Sequence, residues 1–455
     1  MRPNFLFIVV DDLNAWIGAL NRHPQTKTPN IDALARRGSL FTHAYCSAPY
    51  CNASRMGMFS GTLPSTSGVY QNESFWDSPN RPDTFIESLR NAGYYNVGAG
   101  KVFHGTFDYA SATRMGASVA EWRDVENRAH LWDEFHMLDP EPLPKHRPLN
   151  RLFNFGDFDA VPPWYHLFDW GPIPTDAEEI LPDVQTASFV EDFLLSTPQE
   201  PFFCAAGIYK PHLPWHAPAR FFDLHPRDDV VVPTIREDDL DDAPPLARSW
   251  ALTPPDHALV TSRGVWKDAV QGYLACISYA DEMVGRLISA LSRSSVGART
   301  TIVLCGDNGF HLGEKLHWRK FALWEEATRV PMIYVEPNGP RNLKIIEPVS
   351  LLDLHPTILA AAGAPGDQRD GADLSALMHR PAEGQRDRSA ITTWLEGNHS
   401  LRTSRWRYTR YSDGGHELFD HAADPNEWNN LAQNPEFASV CARLSATIDA
   451  RCCKV

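Results

Sequence analysis

The sequence lacks the features of a membrane or fibrous protein. It contains no apolar run long enough to span a bilayer, no internal repeat and no low-complexity tract. The apolar run at residues 5–10 is followed at once by two aspartates and lacks the flanks of a signal peptide, so it predicts a buried strand. Because no targeting segment is visible, we expect a cytoplasmic protein.

Positive charge is also scarce. The chain has 42 Lys and Arg residues against 57 Asp and Glu residues, which gives a formal net charge of −15. Nucleic acids and membrane surfaces bind proteins through clustered Lys and Arg side chains, so we expect neither as a partner. An anionic substrate would therefore have to bind in a locally basic pocket of an acidic protein. The composition does not indicate an oligomeric state.

Cysteine spacings typical of structural zinc sites are missing as well. The eight cysteines are scattered along the chain, except for the adjacent pair Cys452 and Cys453. Cys204 and Cys305 lie in apolar, strand-like runs, which predicts buried free thiols. Free thiols agree with the cytoplasmic expectation.

Strand-like and helix-like segments alternate along the chain. This order predicts an α/β fold with a large, mixed but mostly parallel sheet that is flanked by helices. The patterns predict strands at 5–10, 95–99, 202–206 and 300–305, and helices at 30–37, 83–92, 182–196 and 267–292.

The length of 455 residues favours two domains over one core. We predict an α/β domain over residues 1–370 and a smaller α+β domain over residues 371–455, with a small antiparallel sheet. Residues 365–390 are rich in Gly, Asp and Arg and are typical of a linker. Residues 106–180 are rich in Trp, Pro and His without clear periodicity, which predicts long loops over one face.

Acidic and amide side chains follow two of the predicted strands. Asp11 and Asp12 follow the first strand, and Asp307 and Asn308 follow the strand at 300–305. Ligands of open α/β sheets bind at the carboxyl ends of the strands, and these oxygen atoms suit a hard cation such as Ca²⁺ or Mg²⁺. Either pair alone is explained equally well as the cap of a turn. Both pairs at one edge favour a metal site.

Cys51 lies close to the start of a predicted helix that runs from Ser54 to Gly61. Free backbone N–H groups and the helix dipole favour an anion at this position. Arg55, one turn further on, can bind a sulfate or phosphate through two parallel hydrogen bonds. By position alone, a buried structural cysteine beside an exposed arginine is the more common arrangement.

The segment Cys51-Asn52-Ala53-Ser54-Arg55 resembles the Cys-x-Pro-Ser-Arg signature of type I sulfatases, in the alkaline phosphatase superfamily. The resemblance spans nearly the whole chain and is closest to the iduronate-2-sulfatase-like branch. It implies an alkaline-phosphatase-like fold and the hydrolysis of a sulfate monoester, for which we expect a small sulfated sugar or uronic acid. The further matching motifs are Asp11-Asp12, Thr28 to Asp32, Gly100 to His104, Lys210-Pro211-His212, Gly306 to Gly309, Leu312 to Lys320, Glu417 to Asp420 and Asp424 to Leu431.

The resemblance also implies roles for particular residues. A formylglycine-generating enzyme would oxidise Cys51 to an aldehyde, which hydrates to a diol and attacks sulfur. Arg55 and Lys101 would hold the diol, and His104 would act as the base that expels sulfate. His212 and Lys320 would bind the sulfate and protonate the leaving alcohol. One Ca²⁺, or alternatively Mg²⁺, would be held by Asp11, Asp12, Asp307, Asn308 and the modified Cys51.

Two positions depart from the family pattern. Ala53 replaces the usual proline of the signature, which puts the conversion of Cys51 in question. Asn308 matches the commoner sulfatase pattern, whereas the iduronate-type enzyme has a histidine there, and this weakens any transfer of its substrate. For substrate contacts the sequence offers Asn72, Trp76 and His399, which are equally common as packing at a rim.

Two alternative functions stay open at this point. One is a phosphonate monoester or phosphodiester hydrolase that uses the same nucleophile. The other is a non-catalytic protein that binds sulfated glycans with Cys51 unmodified.

Overall fold

The computed structural model describes residues 2–76, 81–104, 130–136, 138, 149–150, 152, 167–173, 178–179, 181–380 and 388–452. Its strands are β1 (Asn4–Val10), β2 (Ser39–Tyr45), β3 (Tyr95–Gly100), β4 (Glu134–His136), β5 (Trp170–Ile173), β6 (Phe202–Ile208), β7 (Trp215–Pro218), β8 (Thr300–Gly306), β9 (His311–Leu312), β10 (Trp318–Arg319), β11 (Arg329–Val335), β12 (Leu343–Ile345), β13 (Val349–Ser350), β14 (Ala390–Thr393), β15 (His399–Arg402), β16 (Trp406–Arg410) and β17 (His416–Asp420).

The helices are α1 (Pro29–Arg37), α2 (Cys51–Ser60), α3 (Pro64–Ser67), α4 (Phe85–Asn91), α5 (Pro182–Leu195), α6 (Ala219–Asp223), α7 (Pro245–Leu252), α8 (Asp256–Ser262), α9 (Trp266–Arg293), α10 (Glu325–Thr328), α11 (Leu354–Ala362), α12 (Ser375–His379) and α13 (Ala438–Cys452). Among the described residues, no helix combines the length and apolar character that a membrane span requires.

The main sheet has the strand order β12-β2-β11-β8-β1-β6-β3-β4, and β13 also pairs with β2. Strand β1 is parallel to β6 and β8, and β3 is parallel to β6 and β4. Only β11 runs antiparallel to its neighbours in this part of the structure. The predicted mostly parallel sheet is therefore confirmed.

Alternate residues of β1 face opposite sides of the main sheet, because side chains in a strand alternate. Leu6 and Ile8 belong to the apolar core that includes α9 and α5. Phe5 and Phe7 belong to the core on the other side, which includes residues of α2, α4 and α11. Helices thus cover both faces, and this explains why β1 is one continuous apolar run.

The C-terminal part contains the antiparallel sheet β14-β15-β16-β17. Leu401 and Tyr408 of this sheet share an apolar cluster with Leu444 and Ile448 of α13. The fold class, an α/β body with a small antiparallel sheet near the C-terminus, is confirmed. The boundary between residues 370 and 371 stays a prediction.

The linker predicted at 365–390 is wrong for its described residues. Leu374, Leu377 and Met378 are buried in the same apolar core as one face of the main sheet. The chain bends at Asp370 and Gly371 and then enters this core. Residues 381–387, and most of the loops predicted at 106–180, lie outside the described residues.

A buried charge network joins the C-terminal sheet to the α/β body. The Arg407 guanidinium, on β16, is fully buried and donates to the carboxylates of Glu325 and Glu427. Glu427 also accepts a hydrogen bond from the Glu325 backbone N–H at 2.9 Å, and His421 lies 2.8 Å from its Oε1. Burial alone would raise the pKa of Glu427, but Arg407 and His421 lower it to about 2.

We expect Glu427→Gln to destabilise the protein by about 3 kcal/mol at pH 7, because Arg407 loses one of its buried partners. The pKa of this carboxyl is lowered from its ordinary value of 4.5 to about 2 in the folded protein. Its stabilisation is therefore complete above pH 4.5 and is lost as the pH falls towards 2. Denaturant unfolding at pH 7 and pH 3 measures this, with the exposed Glu436→Gln as the control. An equal difference at both pH values would contradict it.

Candidate active site

The two acidic motifs meet at the carboxyl edge of the main sheet. Asp11 and Asp12 follow β1, and Asp307 and Asn308 follow the neighbouring parallel strand β8, whose Gly306 is in register with Val10. Carboxylate oxygens of Asp11, Asp12 and Asp307 lie within 4.8 Å of one another, and all three side chains are buried. The structure thus brings the predicted metal ligands together.

Asp12 has an unusual backbone conformation for a residue with a side chain. Its φ is +56°, in the left-handed region. Its N–H donates to Asp307 Oδ1 at 2.9 Å, and its carbonyl accepts a hydrogen bond from the Tyr273 hydroxyl at 2.7 Å. These bonds hold the strained turn, which directs the Asp12 carboxylate towards the other acids.

Asn308 shows whether the site fits a cation. Its amide nitrogen donates to Asp12 Oδ1 at 2.7 Å, while its Oδ1 is buried and has no hydrogen-bond partner among the described residues. A buried amide oxygen without a donor is costly, and a hard cation satisfies it. Three carboxylates and this amide oxygen therefore fit Ca²⁺ or Mg²⁺.

Cys51 is the first residue of α2, so the helix begins three residues earlier than predicted and ends with Gly61 at φ +70°. The Cys51 Sγ lies 3.3 Å from Asp11 Oδ1 and 2.7 Å from the Lys320 Nζ. Burial, and then the charge of Asp11, raise the pKa of the thiol well above its ordinary value. An unmodified Cys51 is therefore a protonated thiol and a poor nucleophile.

Arg55 lies one turn into α2 and is completely buried. Its Nε donates to Asp307 Oδ2 at 2.9 Å, and its Nη2 donates to Asp11 Oδ1 at 3.1 Å. Its Nη1 donates to the carbonyls of Lys101 and Val102. Arg55 thus neutralises two of the acids and holds them in place, and it is not the exposed arginine of the structural alternative.

Lys101 follows β3 and pairs with the Asp11 carboxylate. The approach depends on two glycines, Gly100 of the matching motif and Gly207, which the sequence alone did not indicate. Gly100 has φ +76°, and a Cβ at Gly207 would lie 2.0 Å from the Lys101 carbonyl carbon. The Lys101 N–H donates to the Gly207 carbonyl at 2.9 Å, so the ends of β3 and β6 carry Lys101 to the acids.

Two histidines lie beside the acids. The His104 Nδ1 is buried without a partner among the described residues, and burial followed by Lys101 holds the pKa of His104 well below its ordinary value. The His212 Nδ1 lies 2.6 Å from the Leu213 carbonyl, and its Nε2 lies 3.7 Å from Asp12 Oδ2. Burial and then Lys101 lower the pKa of His212 to about 4. Both rings are therefore neutral at pH 7. This state suits His104 as a base, whereas it does not suit the predicted role of His212 as a proton donor to the leaving alcohol.

Lys320 is held between two residues in the left-handed region, Arg319 at φ +75° and Phe321 at φ +56°. The buried Arg319 Nε donates to Asp256 Oδ2 at 2.6 Å, and the His317 Nε2 lies 2.6 Å from the Lys320 carbonyl. The Lys320 Nζ donates to Asp12 Oδ1 at 2.6 Å. Asp256 carries no local sequence signal of its role, because its partner Arg319 lies 63 positions further along the chain.

The electrostatic balance fixes the charge states of two of these residues. Burial alone would lower the pKa of Lys320, but Asp12 and the other acidic groups raise it well above its ordinary value, so the side chain is an ammonium ion. Burial would raise the pKa of Asp11, but Lys101 and other cations hold it well below its usual range. Both side chains are therefore charged at neutral pH.

The three predicted substrate contacts lie in different places. Asn72 lies near Tyr50, which precedes Cys51: burial raises the pKa of Tyr50, and a smaller effect of the Asn72 side chain lowers it. Trp76 packs on Phe103 with ring centres 5.4 Å apart. His399 hydrogen bonds with Thr393 Oγ1 at 2.9 Å in the C-terminal sheet. No contact within the described residues joins His399 to Cys51.

The comparisons with known proteins agree with this geometry. The family model described as "Sulfatase" matches residues 3–364, and the model described as "N-sulphoglucosamine sulphohydrolase, C-terminal" matches residues 313–453. The chain belongs to the sulfatase family. The resemblance to type I sulfatases is thereby confirmed, and the activity class is that of the sulfuric ester hydrolases.

The similar proteins of known name differ from one another in the activity for which they are named. A protein named sulfatase from Formosa agariphila is 35% identical over 98% of this chain and 86% of its own. The iduronate 2-sulfatase of Homo sapiens is 26% identical over 79% of this chain and 69% of its own. The structure of a phosphonate monoester hydrolase of Agrobacterium radiobacter has a TM-score of 0.76 at 21% identity, covering 99% and 95% of the two chains. The last similarity shows the shared fold alone.

We expect Asp256→Asn to lower kcat for sulfate release about tenfold, because Arg319 loses the charge that holds the strained loop around Lys320. Asp256 is a positioning residue, so Asp256→Glu should restore part of kcat. The matched control is Asp268→Asn, which removes an exposed partner of Arg227. Steady-state kinetics and thermal unfolding measured together test this. A loss of stability with unchanged kcat would assign Asp256 a structural role only.

Calcium should raise the midpoint of thermal unfolding of the chelator-treated protein, because a ligand that binds only the folded state stabilises it. At a calcium concentration about 100 times the Kd, the gain is about 2.7 kcal/mol. Asn308→Ala should reduce this shift, since it removes the unpaired amide oxygen. The exposed Asn426→Ala is the control. An equal calcium shift in both variants would place the ion elsewhere.

Proposed function

We propose that this sulfatase family member hydrolyses a sulfate monoester of a sugar or uronic acid, with formylglycine made from Cys51 and one bound Ca²⁺ or Mg²⁺. The reaction consumes one water, breaks the ester at sulfur, and releases the alcohol, inorganic sulfate and a proton. One observation carries the proposal. Residue 51 is the first residue of α2, and its side chain lies between the Asp11 carboxylate and the Lys320 ammonium.

The surroundings of Cys51 suit an aldehyde better than a thiol. The pKa of the thiol is raised by burial and by Asp11, so the unmodified side chain is a weak nucleophile. A hydrated aldehyde supplies an oxygen nucleophile, and its sulfate ester collapses when the second hydroxyl gives up its proton to a base, which breaks the C–O bond, expels sulfate and restores the aldehyde. Conversion requires a formylglycine-generating enzyme during maturation. This enzyme would have to accept Ala53 where the family signature has proline.

The other residues have roles that follow from their contacts. Arg55 fixes Asp11 and Asp307, and Lys101 and Lys320 offer ammonium groups to a bound sulfate. His104 is neutral with an unpartnered Nδ1, so it can accept a proton next to residue 51. His212 is neutral too and lies on the Asp12 side, where it can approach the leaving oxygen.

The acids Asp11, Asp12 and Asp307, with the Asn308 amide oxygen, would hold the cation. When bound, it supplies Lewis-acid polarisation of the nucleophile and of a sulfate oxygen. Calcium is our proposal and magnesium the alternative, since both are hard cations that prefer oxygen ligands.

A sugar or uronic acid as the leaving group is supported by the relative that is named for iduronate, a uronic acid. A phosphonate monoester is the second candidate, since a structure named for that activity has the same fold. Both kinds of ester carry a single negative charge at the transferred group, so the same cations would bind either one. A non-catalytic glycan-binding role requires an unconverted Cys51.

One experiment distinguishes these functions. We expect mass spectrometry of the peptide containing residue 51 to show the aldehyde in place of the thiol. The same preparation should release sulfate from sulfated monosaccharides with a higher kcat/KM than it shows for aryl phosphonate monoesters. Cys51→Ala is the control and should abolish both activities. A persistent thiol without turnover would favour glycan binding, and a preference for the phosphonates would favour the second candidate.

A further inference from the structure

Three aromatic rings that no predicted role uses form a cluster beside the nucleophile. Tyr50 directly precedes Cys51, Phe321 directly follows Lys320, and Trp394 directly follows β14. Tyr50 stacks on Trp394 with ring centres 5.6 Å apart and an angle of 16°. Phe321 lies 5.7 Å from Tyr50 and 5.5 Å from Trp394. We call Tyr50, Phe321 and Trp394 the aromatic triad.

The triad borders the site where the ester must bind. The Tyr50 ring lies 6.0 Å from the His104 ring. The Phe321 N–H donates to the Pro49 carbonyl at 3.3 Å, which joins the Lys320 loop to the start of α2. An ester whose sulfur faces residue 51 and whose leaving oxygen faces Lys320 therefore has its organic part next to these rings.

The triad belongs to an apolar cluster that also contains Trp250 and Tyr411, and two of its rings lie at the edge of this cluster. Tyr50 and Phe321 are partly exposed, whereas Trp394 is 7% exposed. Phe321 adopts φ +56°, which costs free energy for a residue with a bulky side chain. A large ring held in a strained conformation, partly exposed and next to Lys320, is typical of a ligand contact.

We propose that the aromatic triad is the subsite for the leaving group, and that its ligand is the apolar face of a pyranose ring. This inference rests on the proposed function and names the chemistry of its substrate. The C–H face of a sugar stacks on aromatic rings, and the hydroxyls at its edge need polar partners. The Tyr50 hydroxyl and the Asn72 side chain near it offer such partners.

Quaternary ammonium groups also bind against aromatic faces, so a cationic leaving group is the competing ligand of the triad. The cations near the triad, Lys320 and Lys101, are each paired with a carboxylate, of Asp12 and Asp11 respectively. The test therefore compares both kinds of leaving group.

The test compares sulfated pyranosides with methyl sulfate, which has no ring to stack. In Phe321→Leu we expect the ratio of kcat/KM for the pyranoside to that for methyl sulfate to fall about tenfold, which corresponds to about 1.4 kcal/mol of stacking. The matched control is Phe437→Leu, which removes a partly buried ring that contacts Trp406 far from Cys51. Its ratio should equal that of the wild type.

A second variant keeps the test valid if Phe321→Leu folds poorly. Tyr50→Phe preserves the ring and its packing but removes the hydroxyl that would hydrogen bond to the sugar, so the same ratio should fall about threefold. Unchanged ratios in both variants would overturn the subsite while leaving the hydrolase intact. A higher kcat/KM for the sulfate ester of a quaternary-ammonium alcohol than for the pyranosides would overturn it as well. If the wild type releases sulfate from none of these esters, the proposed function itself fails.

Discussion

The arrangement of the site depends on three buried carboxylates at one edge of the main sheet. Burying Asp11, Asp12 and Asp307 together is costly unless each charge is matched. Arg55, Lys101 and Lys320 match them, and these cations come from α2, from the end of β3 and from the loop after β10. The three acids and three cations balance in the protein alone. A divalent cation added to this set leaves a net positive pocket, which explains how a protein with a net charge of −15 can bind an anionic ester.

Strained backbone conformations occur at or next to the residues that carry these charges. Asp12, Arg319 and Phe321 all have positive φ, and each is held by hydrogen bonds or an ion pair from a distant part of the chain. Such conformations persist only when the surrounding structure determines them. The strain and the buried charges therefore support one another, since the charge pairs hold the turns and the turns direct the charges. This coupling gives a rigid site of the kind that a preorganised electrostatic environment requires.

The sequence revealed those parts of the site whose signals are local. An apolar run followed by acids predicted the ends of β1 and β8, because neighbouring parallel strands share one edge. The sequence also predicted the helix near Cys51 and the glycine at its end, because helix periodicity and a terminal glycine are local signals. Three features had no local signal. The antiparallel strand β11 depends on pairing with β2 and β8, the Asp256–Arg319 pair spans 63 positions, and Gly207 is needed only because Lys101 approaches it. The linker prediction failed because Gly and Asp mark turns whether or not the apolar residues between them are buried.

The two sheets contribute different parts of the site. The acids, the cations and Cys51 belong to the main sheet, its helices and its loops, whereas Trp394 directly follows strand β14 of the C-terminal sheet. The Thr393 N–H donates to the Ser47 carbonyl at 2.8 Å, which holds Trp394 against Tyr50. The buried Arg407 network fixes that sheet on the α/β body, so the position of the aromatic triad depends on charges remote from the chemistry. If the triad binds the leaving group, substitutions in the C-terminal sheet can change which alcohol is accepted without disturbing the charge balance that binds sulfate.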